Sequence, residues 1–420
     1  MKIAVFFTAS PESGGAFQYQ LNLLNILKQT KKHKILVLTG NDAVANNFKK
    51  DFEIINLSRI VDKIRSLKHQ SIEGESITNI DPKELSKEKL KSKWENKKNK
   101  SKVSLFDKVT CKAIELYLKI KGVDLILWPA PLNTAFKINI PYIFTVYDLE
   151  HRRRPDFPEL SAFGEYERRE FLYENGLKKA TAIIADSEQG KKDIIKHYGT
   201  DKRKIFPIKF LAPTYLNDKI PQKIIKDTIK KYNIPEKYFF YPAQFWPHKN
   251  HILILKALSL LRKEGIEIHA VFSGSDKRKW GTLEELKKSA KELGISDLIH
   301  YVGYVSNEEM SVLYKMSKGL VMPDELGPSN IPYLEAFKLG VPVIAMNVPG
   351  IKDQVQDAAI MGDPKDERKL AKYMKTLLTN KRKVKQLVAN GKKVLISWPK
   401  SEFKKELLKV IDYSEQKIKY

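Results

Sequence analysis

The stretch 321–345, VMPDELGPSNIPYLEAFKLGVPVIA, contains a strand, a turn, a helix and a second strand in 25 residues. The apolar residues before Pro323 predict a strand, and the following Gly-Pro-Ser-Asn cluster predicts a turn. A helix is predicted from Pro332, because Ser329 or Asn330 can cap it and proline suits a first helical position. The N–H groups at such a helix start, with the helix dipole behind them, favour a bound phosphate.

The same alternation continues outward in both directions. Predicted strands are 2–7, 34–39, 125–128, 142–146 and 182–185 in the first half, and 237–241, 267–273, 298–302, 319–322 and 341–345 in the second; predicted helices include 17–27, 251–263, 307–316, 332–339 and 400–419. This pattern is typical of α/β proteins with parallel sheets. Two successive series in 420 residues predict two doubly wound, Rossmann-like domains, 1–210 and 211–398, followed by a C-terminal helix, 399–420. Because parallel sheets bind ligands beyond the carboxyl ends of their strands, both domains are expected to face a central cleft.

A basic insertion near 60–105 interrupts the first series. Residues 83–102 contain nine lysines against three glutamates, and the whole chain has a net charge of +26. One interpretation is a solvated loop, and compositional bias towards lysine is a further source of the charge. The other interpretation is contact with a phosphorylated acceptor or with anionic lipid headgroups. Zinc-finger and helix-turn-helix signals are absent, so a membrane surface is favoured over nucleic acid as the polyanionic partner.

The N-terminus and the single cysteine indicate the cellular compartment of the protein. The apolar run 3–7 is too short for a signal peptide, and no apolar run approaches the roughly 20 residues that cross a bilayer. Cys111 is the only cysteine, so an internal disulfide is excluded and a reducing compartment is indicated. Its apolar neighbours indicate an inert, packed thiol. We therefore expect a cytoplasmic protein, with attachment at the inner face of the membrane as a further hypothesis.

The run 332–344, PYLEAFKLGVPVI, resembles the "P-x-L-E-A-x-x-x-G-x-P-V-I" pattern of the retaining glycosyltransferases of family 4, glycosyl transferases group 1. The resemblance covers nearly the whole chain except the basic insertion. It implies the GT-B architecture, a nucleoside-diphosphate sugar donor bound by the C-terminal domain, and a last helix that crosses back onto the N-terminal domain. The family has two glutamates with seven residues between them. Glu335 matches the second, which contacts ribose hydroxyls, whereas Gly327 stands in place of the first.

Further donor-binding residues follow from the same resemblance. Ser329 and Asn330 are expected to replace the sugar contacts of the missing glutamate, with Ile331 beside them. In the loop 241–251, Lys249 matches the lysine offered to the donor diphosphate, and Gln244 stands where an arginine is usual. A positive charge beside the diphosphate stabilises the leaving group. The remaining expected donor contacts are Gly14 and Gly15, after the first strand, and Tyr304 and Val305, in a turn that holds the nucleobase.

The segment 146–152 resembles the family's "V-H-D-L-x-H". Tyr147 replaces its first histidine, whereas Asp148 and His151 match and are expected near the reacting sugar. Arg152, Arg153 and Arg154 either grip an acceptor phosphate or are merely solvated. Asp186 and Ser187 are interpreted as the end of a strand and the cap of the next helix. The predicted catalytic residues are Lys249, Glu335, His151 and Asp148.

These features predict a retaining, metal-independent hexosyltransferase acting on a glycan or lipid-linked acceptor, in surface polysaccharide or glycoconjugate assembly. No carboxylate nucleophile is evident and no Asp-x-Asp motif occurs, so no metal and no cofactor are expected. Two alternatives stay open. One is a GT-B sugar-nucleotide epimerase or hydrolase, which needs acid–base carboxylates. The other is a non-catalytic binding protein, because Gly327, Gln244 and Tyr147 depart from the family pattern. A nucleic-acid binder ranks behind both.

Overall fold

A computed structural model describes residues 1–10, 14–62, 105–217, 219–276, 280, 282–327 and 329–419. Almost all of the basic insertion, including the lysine-rich run 83–102, lies outside the described residues. Within the described part, no helix is both long enough and apolar enough to cross a lipid bilayer.

Two parallel sheets form the framework. The first has the strand order β3-β2-β1-β4-β5-β6-β7 and the second β10-β9-β8-β11-β12-β13. The strands are β1 Lys2–Phe6, β2 Lys34–Thr39, β3 Glu53–Asn56, β4 Leu125–Trp128, β5 Tyr142–Val146, β6 Ala182–Ala185, β7 Ile205–Pro207, β8 Tyr238–Pro242, β9 His269–Ser273, β10 Ile299–Gly303, β11 Leu320–Met322, β12 Val343–Met346 and β13 Ala359–Gly362. The predicted α/β class with two Rossmann-like sheets is confirmed.

The helices connect these strands and cover the sheets. They are α1 Gly15–Leu27, α2 Asp42–Phe48, α3 Leu105–Ile120, α4 Glu150–Arg153, α5 Pro158–Ser161, α6 Glu165–Lys179, α7 Glu188–Tyr198, α8 Gln222–Tyr232, α9 His251–Lys263, α10 Thr282–Glu292, α11 Asn307–Met316, α12 Ile331–Leu339, α13 Ile351–Val355, α14 Glu367–Thr379, α15 Lys381–Ser397 and α16 Lys400–Lys419. The Ser187 hydroxyl accepts a hydrogen bond from the Gly190 N–H at the start of α7, so its predicted capping role is confirmed.

The central strands are apolar because they are covered on both faces. Every residue of β4, β5, β6 and β12 is buried, which explains their short, continuous apolar runs. In the first sheet Ile3 of β1 lies beside Ile35 on one neighbour and Leu125 on the other. This regular register brings the carboxyl ends of the strands to a common edge.

Three strands of the structure have no counterpart in the sequence prediction: β3, β7 and β13. Each has three or four residues, and each lies at an edge of its sheet. Only one residue is buried in each of them, so their sequences carry little of the apolar signal that marks a central strand.

The C-terminal helix α16 packs against the N-terminal sheet. Its Phe403, Leu407, Val410 and Ile411 are buried in the same apolar cluster as residues of β1, β5 and β6. The Trp398 indole N–H donates to the Lys209 carbonyl oxygen at 3.1 Å. This bond joins the two places where the chain passes between the domains. Cys111 of α3 is half-buried and packs against the other face of the same sheet.

Candidate functional site

A cavity of about 440 Å³ lies between the two domains and is lined by both. Gly14, Gly15 and Asp148 line it from the N-terminal side, and Gln244, Lys249, Ser329, Asn330 and Ile331 line it from the C-terminal side. The loops that follow β1, β5, β8 and β11 thus meet in one cleft, as expected of parallel sheets. Tyr147, which replaces the family's histidine, also lines this cavity.

The turn before α12 is held by a glutamine that the sequence did not single out. The Gln354 side-chain oxygen accepts from the Asn330 N–H at 2.8 Å, and its amide group donates to the Asn330 carbonyl oxygen at 2.8 Å. Asn330 precedes the helix in an extended conformation, with Pro332 in the first turn as predicted, but the Asn330 side chain makes no capping hydrogen bond. Gln354 comes from α13, so only the folded chain places it beside this turn.

Lys249 stands at the edge of the cavity beside a buried carboxylate. Its ammonium group is 3.2 Å from an oxygen of Asp324, whose side chain is 1% exposed. The Tyr241 hydroxyl donates to the same carboxylate, and burial raises the pKa of Tyr241 well above its usual value, so it stays a donor. Asp324 therefore orients Lys249. Its position two residues after β11 is the only sequence signal for that role.

The turn after β9 approaches the loop that carries Lys249 very closely. Gly274 follows β9, and a Cβ atom at this position would lie 2.0 Å from the Ala243 carbonyl oxygen. The Gly274 N–H donates to the Gly303 carbonyl oxygen at 3.0 Å. Glycine at 274 thus lets the turn support the loop that carries Gln244 and Lys249.

Glu335 lies behind the cavity wall rather than in it. Its carboxylate accepts hydrogen bonds from the Tyr314 hydroxyl at 2.6 Å and the Tyr215 hydroxyl at 2.7 Å. Burial raises the pKa of Glu335, against these two hydrogen bonds, which lower it. A ribose contact at Glu335 stays a prediction.

The nucleobase turn is likewise outside the cavity lining. Tyr304 is 56% exposed and Val305 is buried, and both follow the strand β10 in the C-terminal domain. Their main-chain contact with a base stays a prediction.

Of the predicted N-terminal residues, Asp148 reaches the cavity and His151 does not. Asp148 accepts from the Arg169 guanidinium at 3.0 Å. His151 has no exposed surface, and its Nε2 lies 2.7 Å from the Glu170 carboxylate. Burial lowers the pKa of His151, against the Glu170 carboxylate, which raises it. The structure therefore gives His151 a packed environment away from the cleft.

Each arginine of the predicted acceptor cluster already has a carboxylate partner. Arg152 donates to Glu170, Arg153 lies 2.9 Å from Asp193, and Arg154 lies 2.8 Å from Asp156 and 3.3 Å from Glu325. Binding an acceptor phosphate there would have to compete with these ion pairs, and that role stays a prediction.

Carboxyl groups of the N-terminal domain bind the C-terminal domain across the cleft. Asp186 accepts from the Ser329 hydroxyl, Glu159 accepts from the His248 N–H at 2.9 Å, and Glu150 lines the cleft cavity together with Gly327. From the sequence alone, Asp186 is expected only at a strand end, and no role is expected for Glu150 or Glu159. Their partners are more than 80 residues away in the chain, so no local pattern could reveal them.

Replacing Asp186 by asparagine is expected to change how stability depends on pH. Burial raises the pKa of Asp186 to about 8, with smaller contributions from the charges of Asp148 and Glu150. The folded chain therefore holds a proton there that the unfolded chain releases near pH 4, and this group's contribution to stability falls as pH rises from about 4 to 8. Relative to wild type, D186N should gain stability steadily over this range in urea unfolding at pH 5, 7 and 9. A difference between the two proteins that is constant with pH would contradict the raised pKa.

Among the described residues, one group has metal-ligand spacing: His33, Asp412 and Glu415. None of the three lines the cleft cavity. The Lys32 ammonium group lies 2.6 Å from Asp412 and 3.1 Å from Glu415, so a cation already neutralises these carboxylates.

Comparisons with known proteins agree with this geometry. Residues 224–394 match the family model described as glycosyl transferases group 1. The chain is 27% identical over 192 residues to O-antigen chain mannosyltransferase B of Escherichia coli, an alignment that covers 45% of this chain and 49% of that protein. The chain thus spans only about half the length of this curated relative.

Two solved structures share the fold over almost the whole chain. A glycosyltransferase from Rickettsia africae superposes with a TM-score of 0.69 at 15% identity, covering 99% of this chain and 98% of that one. Anabaena HepE, solved in complex with UDP and glucose, gives a TM-score of 0.69 at 14% identity and covers 98% and 99%. Residues 224–394 therefore resemble glycosyl transferases group 1, and the two domains have the GT-B fold.

Proposed function

We propose that the chain is a retaining glycosyltransferase that moves a hexose from a nucleoside-diphosphate sugar to a glycan or lipid-linked acceptor. The observation that carries this proposal is the interdomain cavity, in which Lys249 and the start of α12 face the glycine loop Gly14–Gly15. A lysine and a helix N-terminus are suited to a diphosphate, and glycines allow a ligand to approach the backbone. The match of residues 224–394 to the family model and the relative named as an O-antigen chain mannosyltransferase support it.

In the proposed reaction, Lys249 offsets the negative charge that develops on the departing diphosphate. The cleft holds the acceptor hydroxyl on the face from which the diphosphate leaves, so the sugar keeps its anomeric configuration. A leaving-group oxygen accepts the proton of that hydroxyl. Closure of the two domains excludes water and aligns the two substrates.

A second candidate function is a sugar-nucleotide epimerase or hydrolase. The observation that favours it is the pair of carboxyl groups at the cavity, Asp148 and Glu150. Burial and the neighbouring Asp148 together raise the pKa of Glu150 to about 7, a value suited to acid–base chemistry near neutral pH. Such an enzyme would convert the donor without any acceptor.

The test has a binding stage and a turnover stage. UDP, GDP, UDP-glucose and GDP-mannose are titrated into the protein by calorimetry, and any donor that binds is incubated with and without a lipid-linked or oligosaccharide acceptor. Transfer only in the presence of acceptor, with the donor's anomeric configuration retained in the product by NMR and activity unaffected by a chelator, is the expected result. Donor turnover without acceptor would favour the epimerase or hydrolase. Binding without any turnover would favour a non-catalytic binding protein.

We also propose that the protein works at the inner face of the membrane. The net charge of +26 supports this, since each basic residue near an anionic surface contributes about 1 kcal/mol. The protein should co-sediment with vesicles containing phosphatidylglycerol at low salt and be released at high salt. Failure to sediment with such vesicles would remove this part of the proposal.

A further inference from the structure

The backbone conformation of the loop before α12 disfavours the family's first glutamate. Gly327 has a φ of 109°, a backbone conformation that residues with a side chain rarely adopt. A Cβ atom there would lie 3.0 Å from Nδ2 of Asn330. The chain therefore lacks a carboxylate at this loop position for a backbone reason, and a simple exchange of side chain would not restore it.

A carboxyl group from the opposite domain reaches the same place. Glu150 opens the short helix α4, just after β5, and it lines the cleft cavity while only 6% exposed. Gly327 lines the same cavity, and its N–H lies near enough to the Glu150 carboxyl group to lower the pKa of that group. A carboxyl group thus stands beside residue 327, although it comes from 177 residues earlier in the chain.

The partners of Glu150 leave it capacity for a ligand. Arg153 lies 3.4 Å from one of its oxygens, which is a long contact, and Arg153 is also engaged by Asp193 at 2.9 Å. A carboxyl group has two oxygens and about four acceptor positions. The Gly327 N–H and the long Arg153 contact therefore leave positions open towards the cavity.

We propose that Glu150 binds a hydroxyl group of the transferred sugar, in place of the glutamate that the family carries at position 327. This inference rests on the proposed function, because it requires a nucleoside-diphosphate sugar in the cleft. The contact makes Glu150 a specificity-determining residue: a buried group that hydrogen-bonds a sugar hydroxyl discriminates strongly against a sugar that lacks it.

The origin of Glu150 in the N-terminal domain has a consequence for binding. In a family member with the glutamate on the C-terminal loop, one domain holds both the nucleotide and the sugar. Here the nucleotide is held by the C-terminal domain and the sugar hydroxyl by the N-terminal domain. The sugar contact therefore forms only when the cleft is closed, and the sugar portion of the donor favours the closed state.

The test compares the same variant against ligands with and without the sugar. Affinities of UDP, GDP, UDP-glucose and GDP-mannose are measured by calorimetry for wild type, E150A and E150Q. For the nucleotide sugar that wild type binds, E150A should weaken binding on the order of tenfold to a hundredfold. The corresponding nucleoside diphosphate should bind E150A within about twofold of wild type. E150Q, which keeps an acceptor for the Gly327 N–H, should show a smaller loss with the same selectivity.

Glu159→Ala is the matched control, because Glu159 also links the domains, to His248, but does not line the cavity. E159A should not weaken the nucleotide sugar selectively. Equal losses for both kinds of ligand in E150A, or the same selective loss in E159A, would show that Glu150 only tethers the domains, and the inference would be wrong. If wild type binds no nucleotide at all, the proposed function itself fails. Unfolding midpoints of the variants establish that each is folded.

Discussion

Replacing Lys249 by alanine is expected to lower the rate of sugar transfer by roughly 10²- to 10³-fold, the effect seen when one charge-stabilising group is removed from an active site. The ammonium group lines the cleft cavity and is held there by the buried Asp324 carboxylate at 3.2 Å. Gln244 lines the same cavity but carries no charge, so the diphosphate depends more on this one lysine. The measurement is kcat and KM of transfer under saturating acceptor, together with the affinity for the nucleoside diphosphate.

Lys256→Ala is the matched control for this prediction. Lys256 lies on α9, seven residues after Lys249, and its side chain is exposed. Its removal should leave both kcat and diphosphate affinity unchanged. If K249A remains folded and transfers sugar within threefold of wild type, Lys249 does not stabilise the leaving group, and the diphosphate must lie elsewhere.

Replacing Phe403 by alanine is expected to destabilise the N-terminal domain by about 3–5 kcal/mol. Phe403 is 1% exposed and packs with Leu407, Val410 and Ile411 of α16 in the core of the N-terminal sheet. Removing its ring leaves a cavity at the interface between α16 and the N-terminal sheet. Urea unfolding followed by fluorescence and circular dichroism measures the change, and the transition of the N-terminal domain is the one that should move.

Ile396→Ala provides the comparison for Phe403. Ile396 lies near the end of α15, seven residues earlier, and is 76% exposed. I396A should change the free energy of unfolding by no more than about 0.5 kcal/mol. A loss below about 1 kcal/mol in F403A would mean that α16 is only loosely attached to the N-terminal domain.

The central strands show that local sequence pattern can predict where a buried strand begins and ends. Strands β2, β4, β5 and β6 begin and end at the predicted residues, because each is an apolar run buried on both faces and bounded by polar or turn-forming residues. The short edge strands β3 and β7 escaped prediction, since a strand half covered by the fold needs few apolar residues. Their pairing is decided by the neighbouring strand and not by their own sequence.

The cleft residues likewise divide into those that sequence motifs place correctly and those whose surroundings only the folded structure shows. Lys249, Gln244, Ser329, Asn330, Gly14 and Gly15 could be placed at the cavity from motifs that sit at strand ends. His151 and Arg152 belong to an equally suggestive motif, yet both are engaged by Glu170 of α6. Spacing along the chain shows that two residues are near one another, but it does not show which carboxylate will neutralise them.

The sequence by itself determined the α/β class, the two parallel sheets and the loop ends that could carry a phosphate site. These depend on apolar periodicity and on the backbone preferences of glycine and proline, which act over a few residues. Only the tertiary structure decided that Glu150 stands beside Gly327, that Asp324 orients Lys249 and that Tyr215 and Tyr314 occupy Glu335. Those contacts join residues far apart in the chain, and their energies depend on burial, which exists only after the domains have folded together.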